Sequence, residues 1–396
     1  MQSEEPFLSN ALIPYGRQSI SDQDIQAVVD VLKSDFLTQG PAIERFENAV
    51  AGYCGASFAV STNSATSALH IACLAAGLGP GDILWTSPNT FVASANCALY
   101  CGAEVDFVDI DSRTYNISIE RLEQKLESSK LTGKLPKVVI PVHFAGQSCE
   151  MKRISELARS YGFTVIEDAS HAIGGEYRGK KIGSCEYSDM TIFSFHPVKI
   201  ITTGEGGMIV TNKSELYEKL IRLRSHGITR NPDLMQGISH GPWYYQQIEL
   251  GFNYRMTDIQ GALGSSQLKR LDEFITRRHY LADRYNKAFQ DIPIKLPWQH
   301  PDCYSSYHLY VIRLYLGKLK SSHHSIFEKL REKRINVNLH YIPVPLQPYY
   351  QRLGFRAEDF PEAVKYYRES LSIPMYFDLT DEQQDYVTAQ VKEVVQ

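Results

Sequence analysis

From Phe58 to Asp168 the chain repeats one pattern, a short apolar run followed by a helical segment, and this repeat restricts the possible folds more than any other feature. Phe58–Ser61, Asp82–Thr86, Glu104–Ile110, Val138–His143 and Phe163–Asp168 read as strands. Segments opening at Thr62 and covering Val92–Tyr100, Ile117–Leu126 and Met151–Tyr161 read as the intervening helices. Strands and helices in alternation predict an α/β fold with a mostly parallel sheet covered by helices. Such sheets bind ligands beyond the carboxyl ends of their strands. Thr62, Phe91, His143 and Asp168 all fall at or just after strand ends, so any chemistry is expected there. Taken singly, Phe91 also reads as a core residue and Asp168 as a capping acid.

The flanking segments supply the rest of the architecture. Ser21 is a candidate N-cap, with Asp22 and Asp24 in the first turn and Ile25, Val28, Val29 and Leu32 as the apolar stripe. A loop at Asp35–Pro41 precedes a helix at Ala42–Tyr53. Beyond Gly207, Met208–Thr211 reads as a strand and Glu215–Ser225 as a helix; residues 228–250 lack periodicity and read as a long loop. Thr257 caps a long helix reaching about Phe289, which joins a large domain (residues 1–265, including the N-terminal segment) to a smaller α+β domain (266–396). The smaller domain holds a strand at Tyr310–Leu314, a helix at Ser325–Lys333 and a final helix from Thr380.

Composition removes several classes of function. A formal net charge of −4 carries no polybasic signature for nucleic acid or anionic membranes. No apolar run is long enough to span a bilayer, and the acidic start Met1-Gln2-Ser3-Glu4-Glu5 argues against a signal peptide. The seven cysteines are odd in number and contain no C-x-x-C, so reduced thiols in a cytoplasmic protein are expected, with no metal site.

The densest chemistry lies in Ile192–Lys199, an aromatic-rich apolar run ending in a lysine, followed by the turn Gly204-Glu205-Gly206-Gly207. A lysine among apolar groups is desolvated, which depresses its amine pKa and suits it to Schiff-base chemistry. The same residues read equally well as a surface lysine on a hairpin. The neighbours bear on the choice. Asp168 could hold a protonated ring nitrogen and Phe91 could stack on a flat ring. The amides of Ala65 and Thr66 at a helix start, with the Ser194 hydroxyl, could hold a phosphate. Together these are the needs of pyridoxal 5′-phosphate (PLP).

Four motifs in order carry a resemblance over nearly the whole chain: Glu167-Asp168-Ala169-Ser170-His171-Ala172, Phe193–His196 with Lys199, Gly204–Gly207, and Gly251-Phe252-Asn253-Tyr254-Arg255-Met256. They resemble the DegT/DnrJ/EryC1/StrS family of nucleotide-sugar aminotransferases. That resemblance implies the aspartate-aminotransferase-like, PLP-dependent fold type I and a homodimer with shared active sites. It also implies transfer of an amino group from L-glutamate to a UDP-linked 4-keto-6-deoxy-N-acetylhexosamine. Lys199 then corresponds to the Schiff-base lysine, Asp168 to the pyridinium partner and Phe91 to the stacking ring. His171 is placed near the cofactor's phenolic edge, and Ala65, Thr66 and Ser194 on its phosphate. Asn253 is similar to an asparagine lent by the neighbouring subunit. Tyr15, Asp35, Phe36, Leu37 and Thr38, with Asn338, Leu339, His340 and Tyr341, match positions that hold the sugar nucleotide. A sugar dehydratase of the same family would replace the lysine, and Lys199 stands at its position. A nicotinamide-dependent enzyme should show G-x-G-x-x-G after the first strand, and Ser61–Leu69 contains no glycine.

Overall fold

The computed structural model describes residues 12–395; the acidic tail Met1–Glu5 lies outside the described residues. The alternating region folds as expected. Seven strands form one sheet: β1 (Phe58–Thr62), β2 (Ile83–Thr86), β3 (Glu104–Phe107), β4 (Val138–Ile140), β5 (Thr164–Asp168), β6 (Met190–Ser194) and β7 (Gly207–Thr211). Their spatial order is β1-β7-β6-β5-β4-β2-β3. β7 is antiparallel to both neighbours, and the remaining pairs in the sheet are parallel. The central strands are buried on both faces, as a helix-covered parallel sheet requires. Helices α1 (Asp22–Leu32), α2 (Pro41–Cys54), α3 (Ala65–Ala75), α4 (Ala93–Tyr100), α5 (Ile119–Thr132), α6 (Met151–Tyr161) and α7 (Ser214–Arg224) flank it.

Two features depart from expectation. Ser21 caps α1 in a full capping box with Asp24, but the apolar stripe is not what the helix buries. Asp24 and Val31 are buried, whereas Ile25 is 55% exposed and Leu32 54%. The reason is polar packing: Asp24 accepts from the Ser21 backbone at 2.8 Å and from Gln267 Nε2 at 2.6 Å, and this pins α1 to the helix that follows residue 257. The long helix expected over 257–289 is two helices, α8 (Asp258–Leu268) and α9 (Leu271–Ala288), broken at Lys269-Arg270. Thr257 caps the first with Gln260 as its reciprocal partner.

A second core gathers around an antiparallel sheet of β8 (Ile294–Lys295), β9 (Tyr310–Leu314) and β10 (Ser370–Ile373), with the helices His323–Glu332 and Asp381–Val395 and the inner face of α9. Ile13 joins this core through a parallel pairing of Ile13–Pro14 with Ile335–Asn336. The loop at 228–250 is closed by a two-residue ladder, Ile228–Thr229 against Gln246–Gln247, and leaves Trp243 71% exposed. Among the described residues no helix is long and apolar enough to cross a membrane.

Candidate active site

Because β1 to β6 share one direction and β7 runs against them, six carboxyl ends and one amino end meet along one edge. Register brings them level: Gly207 lies opposite both Thr62 and Ser194, and Asp168 opposite Ile192. A cavity of about 840 Å³ opens over this edge, between the sheet and residues 338–341 of the smaller unit.

One end of the cavity suits an anion. Ser64 caps α3 by accepting from Ser67 N at 3.1 Å. The N–H groups of Ala65 and Thr66, in the first helical turn, have no intrahelical acceptor, and the helix dipole places its positive end there. Gly207 packs directly under this turn. A Cβ at that position would lie 2.5 Å from Ser64 O and 2.6 Å from Ala65 N, so only glycine admits the approach. Ser194 closes β6 beside it and lines the same wall.

Lys199 sits on the connection from β6 to β7 and lines the cavity. Burial pushes its amine down to about 8, against the opposing pull of the Asp168 carboxylate. Asp168 ends β5 and is itself buried. Its Oδ1 accepts from Ser170 N at 3.1 Å and its Oδ2 from the Ser94 hydroxyl at 2.6 Å. Phe91 is 58% exposed on the cavity wall, leaving a ring face free, with Tyr341 at a centroid distance of 6.4 Å.

Three buried imidazoles also line the cavity. His171 Nδ1 lies 3.3 Å from the Ala145 N–H, which makes Nδ1 the acceptor and Nε2 the protonated nitrogen. Nε2 then donates to the Tyr341 hydroxyl at 3.0 Å. His308 stands 4.4 Å from His171 between ring centroids, on a segment fixed by Arg278, which donates to the carbonyls of Tyr307 (3.0 Å) and His308 (3.2 Å). His340 Nδ1 meets Ser372 Oγ at 2.8 Å. Burial, reinforced by the Lys199 charge, holds His171 and His308 well below the usual imidazole range and brings His340 down to about 3. All three are therefore neutral at pH 7 and provide donors and acceptors without adding charge beside the amine. Burial also raises Tyr341, followed by the Asp168 charge, so its hydroxyl keeps its proton.

Twelve expected site residues line this one cavity: Tyr15, Ala65, Thr66, Phe91, Asp168, His171, Ser194, Lys199, Asn338, Leu339, His340 and Tyr341. Asn253 and residues 35–38 do not line it. Asn253 is exposed and its backbone bridges to Ser225. Asp35, Phe36, Leu37 and Thr38 are exposed too, with Thr38 bridged to Thr257 and Leu37 O accepting from Asp258 N at 2.9 Å. These two sets adjoin one another near residues 253–258, outside the cavity of their own chain. His308 and Ser94 were not among the expected residues. His308 follows a polar run with no periodic signature, and Ser94 sits in a helix of small residues that reads as packing.

A depressed lysine amine, a strand-end carboxylate, a ring-sized open aromatic face and a glycine-floored helix start fit PLP as a donor set. Fold and site together define a PLP-dependent transferase of the aspartate-aminotransferase type. The chain belongs to the DegT/DnrJ/EryC1/StrS aminotransferase family, whose profile it matches over residues 18–392. It is 40% identical over 373 residues, 93% of each chain, to the UDP-4-amino-4,6-dideoxy-N-acetyl-beta-L-altrosamine transaminase of Campylobacter jejuni. Helicobacter pylori PseC, an aminotransferase of pseudaminic acid biosynthesis, superposes with a TM-score of 0.87 at 32% identity, covering 97% of this chain and 99% of that one. The PLP form of the putative sugar aminotransferase Spr1654 from Streptococcus pneumoniae superposes with a TM-score of 0.87 at 30% identity, covering 97% and 99%. The protein is a PLP-dependent sugar aminotransferase.

Proposed function

We propose that this enzyme transfers the amino group of L-glutamate to C4 of UDP-2-acetamido-2,6-dideoxy-β-L-arabino-hex-4-ulose, in pseudaminic acid biosynthesis in the cytoplasm. The observation that carries the catalytic assignment is the Lys199 amine, lowered to about 8 and sharing one cavity with Asp168. The choice of sugar is supported by the likeness to the Campylobacter transaminase and to PseC. All seven cysteines are unpaired, which accords with a reducing compartment.

When bound, PLP supplies an electron sink for the bond broken at the amino-bearing carbon. The chain's residues do the rest. Ala65 N, Thr66 N and Ser194 Oγ would hold the phosphate, and Phe91 would stack on the ring. Asp168 would hold a proton on the ring nitrogen. Lys199 Nζ moves a proton away from the reacting carbon, and its depressed pKa keeps a usable fraction of neutral base near pH 7 to 8. His171 Nε2 holds the Tyr341 hydroxyl at the cavity wall. Tyr15 from the N-terminal segment and Asn338–Tyr341 from the smaller unit face the sugar nucleotide.

In this reading the enzyme is a homodimer, and Asn253 with residues 35–38 serve the partner's cavity. Their absence from their own cavity and the exposure of Phe36 (52%), Leu37 (47%) and Leu250 (78%) beside them support it. Two assays test the proposal. A panel of 4-keto nucleotide sugars is offered with L-glutamate; preference for another sugar refutes the substrate. Lys199→Ala and Asn253→Ala subunits are then mixed, and failure to restore any activity refutes site sharing.

A further inference from the structure

Asp168 is held by more than its own turn. Its Oδ2 lies 2.6 Å from Ser94 Oγ, and Ser94 Oγ lies 2.8 Å from Thr90 Oγ1. All three residues are buried, with Ser94 fully enclosed and Thr90 2% exposed. Ser94 has a single hydroxyl hydrogen. An ionised carboxylate is the stronger acceptor, so that hydrogen goes to Asp168. Thr90 must then give its own hydrogen to Ser94. The result is a one-way chain, Thr90 to Ser94 to Asp168, with no competing acceptor along it.

The chain fixes the carboxylate from the side opposite Ser170, whose N–H meets Oδ1 at 3.1 Å. With one oxygen clamped by Ser94 and the other by Ser170, the plane of the carboxylate cannot turn. Thr90 and Asp168 both line the cavity. Thr90 and Ser94 come from the turn after β2 and the start of α4, two strands away from β5. The clamp therefore ties the orientation of Asp168 to the far side of the sheet.

We infer that Ser94 is a positioning residue for Asp168, with Thr90 as its support, and that together they set the alignment of this carboxylate toward the cofactor ring. The inference rests on Asp168 being the ring-nitrogen partner proposed above. A charge-assisted hydrogen bond of this length is among the stronger ones a protein makes, and losing it leaves the carboxylate free to rotate.

The test is PLP binding to cofactor-free protein, followed by tryptophan fluorescence and by the absorption spectrum of bound PLP. Ser94→Ala is expected to weaken PLP affinity roughly tenfold or more and to shift the bound-cofactor absorption balance at fixed pH. Thr90→Val, which keeps the Ser94 hydroxyl, is expected to act in the same direction by a few fold. In an Asp168→Asn background, Ser94→Ala is expected to cost less than about twofold, because its acceptor charge is gone. Wild-type affinity and spectrum in both Ser94→Ala and Thr90→Val would overturn the inference, as would an equal Ser94→Ala loss with and without Asp168. If Ser94→Ala does not fold, Thr90→Val alone decides. Unchanged PLP affinity in Asp168→Asn would instead refute the Asp168 assignment, so the two failures are distinguishable.

Discussion

The Lys199 amine offers the sharpest quantitative test of the site. An ordinary lysine amine titrates at 10.5, and burial brings Lys199 to about 8. At pH 7 an amine at 10.5 is neutral in roughly one molecule in 3,000, and an amine at 8 in roughly one in eleven. The expected gain in reactive amine is therefore about 300-fold. Trace acetylation of cofactor-free protein across pH 6 to 11 reads it directly, with the Lys199 peptide quantified by mass spectrometry and exposed Lys134 as internal reference. Lys199 borders the cavity and is only partly covered, so reagent can reach it. Its labelling should titrate near pH 8. Asp168→Asn should move that midpoint lower still, because the Asp168 charge is the one contribution that raises it. A midpoint at or above pH 10 would refute the desolvation argument, and an upward move in Asp168→Asn would refute the sign of the charge effect.

Further outcomes follow from the same geometry. Lys199→Ala should lower kcat by at least about 10²-fold, the lower bound for a lost general base, with the protein still folded by circular dichroism. Retained steady-state transamination would contradict its role. The cofactor-free protein should lose stability as pH falls below about 6.5. His171, His308 and His340 are harder to protonate folded than unfolded, so the unfolded chain takes up more protons. That contribution is complete above the unfolded pKa and is lost toward the folded values, about 3 for His340; a Tm that does not fall from pH 6.5 to 5 would contradict it. Lys199→Met should lessen this acid sensitivity, since the Lys199 charge helps depress all three imidazoles. Gly207→Ala forces a Cβ against Ser64 O at 2.5 Å and should destabilise by about 1–3 kcal/mol in urea unfolding, with weaker PLP binding.

Much of the site could be read from chain order, because the α/β repeat converts a position in sequence into a position on one sheet edge. Asp168, Ser194, Ala65, Thr66 and Phe91 all sit at or after strand ends, and all five line one cavity. What escaped the sequence depends on tertiary packing. Ser94 lies in a run of small residues indistinguishable from a core helix, and only the approach of α4 to the end of β5 turns its hydroxyl onto Asp168. His308 gains its place from Arg278, a residue on α9 that nothing in the local pattern links to it. The stripe on α1 failed for the converse reason. A buried Asp24 whose carboxylate accepts two hydrogen bonds decides which face of the helix turns inward, and hydrophobic periodicity does not register such a residue.

The hairpin in the sequence reading of Lys199 is present, and it accounts for the place of this lysine on the cavity wall. Parallel neighbours must be joined by a long crossover that leaves the carboxyl edge and returns from the other end of the sheet. Had β7 been parallel to β6, residues 195–206 would have been carried away from that edge. Because β7 is antiparallel, the chain turns back over the ends of the strands, with Phe195 N donating to Gly206 O at 2.9 Å to close the turn. Phe195, Ile200 and Ile201 are then buried while Lys199 lines the cavity together with Asp168. The same reversal delivers Gly207 to the start of α3, where a side chain would not fit. One antiparallel strand thus places both the amine and the anion-binding floor. A hairpin is the shortest connection that can do both at once.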